Sequence, residues 1–303
     1  MSPSLLRPQG DFSPAEALQL AQQAPEILRK NPKAFSNLLI SCLRTGNDEA
    51  AHQCLERLVL RFGGKDERIE ALKGLIKEAE ATSNSELETV LKEYEELLAE
   101  NSTNIPIAKR RIALLRSMGK ISEAIEALVS FLDFSPTDGE AWMELGDLYV
   151  SQGLYTQAAY SMEEALVLVP NAWNLHARLG EVLLMAAESS TEGIPQKYLA
   201  EALKRFCRSI ELCEDYLRGY YGLKLVTDKL LETSGKTKKL AELDGFPLPE
   251  QSTIEKLNLA ATNKLSEIVR RHDAKEKLWQ GYDAGEVAAA RALLTKLSAQ
   301  VVR

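Results

Sequence analysis

The 303-residue sequence has no run of 18 apolar residues, only three histidines, four scattered cysteines and no glycine-rich phosphate loop. Each shortage excludes something. Without a long apolar run no helix is expected to span a bilayer; the apolar stretches at 182–187 and 165–169 are short and fit amphipathic helices. His52, His176 and His272 lie far apart, and none stands at metal-ligand spacing from a carboxylate or cysteine. They read as solvated or groove-lining helix positions, and no metal is expected. Cys42, Cys54, Cys207 and Cys213 form no CxxC pair, which suits a reducing compartment and roles in packing. Walker, dinucleotide and nucleophile-elbow patterns are missing, so neither a cofactor nor a small-molecule substrate is expected. The opening MSPSLLRPQGDFSPAE has no apolar core of a secretory signal, which points to the cytosol. Net charge is −7, so bulk electrostatics favours neither nucleic acid nor a bare anionic membrane.

What is present is ordinary composition, 45% hydrophobic and 27% charged, arranged in a repeat. The stretch Thr137–Pro170 reads TDGEAWMELGDLYVSQGLYTQAAYSMEEALVLVP. Trp142, Leu145, Gly146 and Tyr149 fall on one helix, Ala158, Met162 and Ala165 on the next, and Pro170 ends the unit. These offsets are the signature of a tetratricopeptide repeat with its 34-residue period. Gly146 and Ala158 are small so that two antiparallel helices can approach closely, while Trp142, Leu145 and Tyr149 fill the space around them. Thr137 and Glu140 read as a capping box at the start of the first helix, and Gly153 marks the turn. One such pair leaves apolar faces open on both sides and demands neighbours.

Counting back by 34 maps Ala158 to Ala124, Gly153 to Gly119 and Pro170 to Pro136. One step further, Tyr94 takes the bulky place and Val90 the small one. Forward, Leu179 and Gly180 match Leu145 and Gly146, but Ala202 and Phe206 arrive late by about ten residues, around 188–196. The next first helix, with Tyr220 and Leu223 in register, spans 217–231. Closer to the N-terminus, Gly46, Ala50 and Cys54 mark a degraded repeat over 34–60, followed by about six extra charged residues from Lys65 to Glu70. The organisation is therefore residues 1–12 without periodicity, and an array over 13–231 whose first helix opens at Ser13. Its clearest repeats are 71–104, 105–138, 139–172 and 173–216. A connector follows at 232–252, rich in glycine, proline and lysine, and the C-terminal helices of 253–303 pack on the array's end. Ser252 and Glu255 read as the capping box of the first of these. The fold class is all-α, a right-handed superhelical solenoid.

Such a superhelix offers a concave surface lined by the first helix of each repeat. The inward positions give Lys109 and Arg116; Met143 and Asp147; Ala177, Glu181 and Leu184; and Arg218, Tyr221 and Leu225. Both charge signs and several apolar anchors suit an extended or helical polypeptide. The clusters Glu93–Glu95–Glu96 and Glu163–Glu164 fit solvated helix faces and side-chain ion pairs. A clamp for acidic chaperone C-termini needs basic and amide residues at set places. Lys109 and Arg178 fit it, Ala113, Glu144 and Asn174 do not, so the clamp is absent.

With the repeats aligned, four runs resemble subunit 2 of the endoplasmic reticulum membrane protein complex, in a fungal form. They are Ala108–Ala113 with Gly119; Asp138–Leu145 with Leu148 and Tyr149; Tyr155–Tyr160 with Glu163 and Glu164; and the lengthened repeat through Ala202, Phe206 and Leu212 into Leu217–Leu223. Together they cover about 88–230. The resemblance implies a non-catalytic, peripheral scaffold on the cytoplasmic face of the endoplasmic reticulum. It would hold cytosolic segments of membrane-embedded subunits and a small soluble subunit in an insertase for tail-anchored and multi-pass proteins. The alternatives are a stand-alone peptide-binding adaptor or cochaperone, and an enzyme on a helical-repeat fold, which would need a deep pocket with converging polar groups.

Overall fold

The computed structural model describes residues 35–189, 195–232 and 248–301, together with four helical positions before them, Ala15, Leu18, Gln19 and Gln22. The expected helix start at Ser13, residues 1–12, the loop at 190–194 and most of the 232–252 connector lie outside the described residues. The chain divides into two compact units, Met1–Phe134 and Ser135–Arg303. Among the described residues all regular structure is helical.

The first unit carries α1 (Phe35–Arg44), α2 (Asp48–Phe62), α3 (Glu67–Glu80), α4 (Asn84–Glu100), α5 (Ile105–Ser117) and α6 (Ile121–Phe134). Consecutive helices pair antiparallel because the links are short. The α1–α2 and α5–α6 turns pass through Gly46 at φ 68° and Gly119 at φ 75°, a left-handed conformation that glycine adopts without a Cβ penalty. Leu38, Leu39, Cys42, Ala51, Cys54, Leu58, Ile69, Leu72 and Ile76 form one apolar cluster across α1–α3. The small position of α2 is thus Ala51, one residue beyond the Ala50 read from sequence. The charged stretch from Lys65 is no insertion. Asp66 caps α3 by accepting from the amides of Arg68 and Ile69, so Glu67 onward is already the next first helix.

The second unit carries α7 (Gly139–Ser151), α8 (Tyr155–Leu168), α9 (Trp173–Ser189), α10 (Pro195–Leu212), α11 (Leu217–Glu232), α12 (Gln251–Asp273), a 3₁₀ turn (Lys277–Trp279) and α13 (Ala284–Val301). The α7–α8 crossing is as close as the sequence demands. A Cβ added to Gly146 would sit 3.2 Å from Met162 Cγ and 3.5 Å from the Ala158 carbonyl, and Ala158 is fully buried. The cap of α7 is Asp138, whose carboxylate accepts from the Ala141 amide 3.0 Å away, not Thr137. Likewise α12 opens at Gln251 after Glu250, which places Ser252 inside the helix.

Two ring donors repeat a contact one period apart. Trp142 Nε1 donates to the Pro136 carbonyl at 2.8 Å, and His176 Nε2 meets the Pro170 carbonyl at 3.0 Å, each six residues back. Each ties the start of a first helix to the loop just before it. His176 is therefore a buried structural residue rather than a solvated one, and burial holds its pKa below the ordinary histidine value. The lengthened α9–α10 pair closes around Phe206, whose ring lies against the backbones of both Gly180 and Gly222. In α11 the position equivalent to Gly146 and Gly180 is Lys224, 3% exposed. Its amine reaches Asp228 Oδ1 at 2.5 Å and Asn258 Oδ1 of α12 at 2.9 Å, so burial leaves the charge paired and fixes how α12 lies along α11.

Candidate interaction surface

In the first unit, an open groove of about 950 Å³ is lined by first helices alone. α1 contributes Ser36, Ile40, Leu43 and Arg44; α3 contributes Arg68, Ala71, Leu72, Leu75, Glu78 and Ala79; α5 contributes Pro106, Lys109 and Arg110. The floor is aliphatic because every third or fourth residue of each amphipathic helix turns inward. The rim is basic. Lys109 is half-buried, with its amine 5.9 Å from the centre of the Phe131 ring; Arg116, exposed in the last turn of α5, is not part of the groove's lining.

Beneath one wall lies a polar triad. Tyr94 Oη donates to Glu78 Oε1, and Arg110 donates through Nε to the same oxygen at 3.1 Å and through Nη2 to Glu78 Oε2. Burial, reinforced by the Glu78 carboxylate, holds the Tyr94 hydroxyl far above its usual pKa. Burial opposes the Arg110 charge, but Glu78 outweighs it and raises the guanidinium. Gly74 makes room for the ring, since a Cβ there would fall 2.2 Å from Tyr94 Oη. Sequence reading missed this triad and the α1 and α3 lining. Its usable signal was Gly74, the small residue of α3, which stands 72 positions before Gly146 rather than two whole periods before it.

In the second unit, three of the sequence candidates meet in one ion ladder across α7, α9, α11 and α13. Arg178 Nη2 reaches Asp147 Oδ1 at 2.9 Å and its Nη1 reaches Glu181 Oε2 at 3.1 Å. Arg218 Nη2 reaches both Glu181 oxygens at 2.8 Å, and its Nε lies 3.9 Å from Glu286 Oε1. Burial works against the charges of Arg178 and Arg218, yet the surrounding carboxylates raise both pKa values. Asp147, Glu181 and Arg218 are thus partnered within the chain, and Arg178, which sequence reading weighed only as a clamp residue, is the ladder's second rung.

Met143, Tyr221 and Leu225 are half-buried and present apolar surface beside the core clusters. Ala177 and Leu184 do not. Ala177 has no exposed surface and Leu184 has 8%, because α9 is packed along most of its circumference, so both belong to the core rather than to a docking face.

Two further cavities are smaller. One of about 420 Å³ sits between α8 and α10 and is lined by Ala159, Tyr160, Leu183 and Tyr198. One of about 310 Å³ sits between α3 and α4 and opens on Lys73, Lys77 and Glu93. Among the described residues no three His, Cys, Asp or Glu side chains converge as a metal site would require. The Cys42 and Cys54 thiols are buried together in the α1–α3 core, and burial pushes the half-buried Cys207 thiol up to about 11.

Paired helices of this length, crossing through a glycine and an alanine and recurring at 34 residues, define a tetratricopeptide-repeat protein. A family model described as the EMC2 TPR-like repeat domain matches residues 54–191. The TPR repeat protein oca3 of Schizosaccharomyces pombe is 37% identical over 224 residues, 74% of each chain. The ER membrane protein complex subunit 2-A of Xenopus laevis is 31% identical over 170 residues, 56% of each chain. Among solved structures, pilF of Pseudomonas aeruginosa is similar at a TM-score of 0.49 and 15% identity, covering 88% of this chain and 98% of that one, a distant likeness that says nothing of function. The chain belongs to the ER membrane protein complex subunit 2 family. Among the described residues no helix is long and apolar enough to cross a membrane.

Proposed function

We propose that this chain is a non-catalytic scaffold subunit of the endoplasmic reticulum membrane protein complex, acting on its cytoplasmic side. It supports insertion of tail-anchored and multi-pass proteins by holding cytosolic segments of membrane-embedded subunits and a small soluble subunit. Beyond family membership, the observation that carries this reading is the groove of α1, α3 and α5. An aliphatic floor with Arg68 and Lys109 at its rim suits a polypeptide whose apolar side chains alternate with acidic ones.

Charge reversal at the rim tests it. Arg68→Glu with Lys109→Glu is expected to cut recovery of the co-purifying membrane subunits at least fivefold in mild detergent, with an unchanged thermal transition. Undiminished recovery would remove the groove from the account.

A further inference from the structure

The link between α12 and α13 carries the exposed Leu278 beside Trp279, which is half-buried and packs on the core of Leu217, Leu265, Ile268 and Val287. Leu278 is 93% exposed, more than any other large apolar residue described. Trp279 follows it on the same 3₁₀ turn, with its ring held over by Arg271 at 4.7 Å and Lys264 at 5.6 Å. Around them Arg270, Lys275 and Lys277 are exposed.

The acids of this segment are already engaged. Asp273 pairs with Arg291 at 2.5 Å and Glu276 with Arg271 at 3.4 Å. The three exposed cations have no ion pair among the described residues, so the tip is locally positive on a chain whose net charge is −7. Charges beyond about 8 Å are screened at physiological salt, so the local sign decides what the tip attracts.

The turn is built rather than loose. The Lys275 amide donates to the His272 carbonyl at 3.0 Å, Gln280 Nε2 donates to the same carbonyl at 3.0 Å, and Tyr282 Oη donates to the Asp215 carbonyl at 2.7 Å. Lys275 itself is held at φ 55°, the left-handed region where a helix end usually places glycine. A lysine kept there against that preference is a non-glycine outlier of the kind found at functional turns.

We propose that this tip docks on an anionic lipid bilayer, with Leu278 entering the acyl boundary, Trp279 at headgroup level and Arg270, Lys275 and Lys277 on the lipid phosphates. A protruding leucine beside a half-buried indole, with exposed cations close by in sequence, matches the interfacial anchor of peripheral proteins. The inference revises the expectation from bulk charge, which disfavoured such a surface. It does not depend on the scaffold reading, because it concerns the isolated full chain and lipid alone.

Flotation of the purified full-length chain with vesicles tests it. Binding is expected to phosphatidylcholine vesicles carrying about a third phosphatidylserine and not to phosphatidylcholine alone, with weakening as salt is raised. Lys275→Gly with Lys277→Gln is expected to weaken binding about 25-fold, at roughly fivefold per cation near the surface. The Lys275→Gly change relaxes the backbone at φ 55°, and an unchanged thermal transition of the double variant separates loss of binding from unfolding. Leu278→Asp should abolish the blue shift of tryptophan fluorescence on vesicles. A wild-type chain that stays with the lipid-free fraction, floats equally with neutral vesicles, or floats undiminished in these variants overturns the proposal. So does a protein partner that shields Leu278 while lipid does not.

Discussion

Phe206→Ala is expected to lower the stability of the Ser135–Arg303 unit by about 3–5 kcal/mol, the range for emptying a fully buried aromatic site. The residue is 0% exposed, and its ring fills the space between three helices. A Cβ on Gly180 would come within 2.8 Å of the ring, and one on Gly222 within 2.0 Å. The same geometry makes Gly222→Ala costly by about 1–3 kcal/mol through overpacking, and less costly once Phe206 is alanine. Urea denaturation of the single and double variants measures this. A midpoint for Phe206→Ala within about 1 kcal/mol of wild type would show that the ring does not hold the three helices together.

Glu78→Ala is expected to cost about 2–3 kcal/mol in the Met1–Phe134 unit. Its carboxylate, with a side chain only 12% exposed, is the shared acceptor of the Tyr94 hydroxyl and the Arg110 guanidinium. Removing it strands a phenol and a cation, and neither can turn fully to water. The control is Glu93→Ala, which breaks the exposed Lys77–Glu93 pair and should cost under about 1 kcal/mol. Equal costs for the two substitutions in denaturant titrations would contradict the reading of the triad as a buried network.

Much of the fold was legible because the repeat is written in volumes. Gly146, Ala158 and Met162 state a close crossing in any sequence, and the lateness of Ala202 and Phe206 gave the lengthened α9–α10 pair correctly. The first unit was harder to phase. A strict period misses Gly74 by four residues, so the charged start of α3 was read as extra sequence following a degraded pair.

The interaction surface was legible by register but not by burial. Position within a repeat puts a residue on a helix face; whether that face is wet depends on what packs above it. Ala177 and Leu184 stand at inward positions, yet α9 is enclosed along most of its length, and they lie in the core. Nor does register foretell pairing. Asp147, Glu181 and Arg218 read as groove charges for a partner, but Arg178 joins them into a ladder, because residues one repeat apart on neighbouring first helices fall within ion-pair reach.

The central claim is that stacked helix pairs hold other chains in a fixed assembly. Its most direct test is the subunit composition of the material recovered on the affinity-tagged full-length chain from endoplasmic reticulum membranes in mild detergent. The account predicts several membrane-embedded subunits and one small soluble subunit in constant ratio to this chain. Recovery of the chain alone, or with an enzymatic substrate in place of partner subunits, would contradict it.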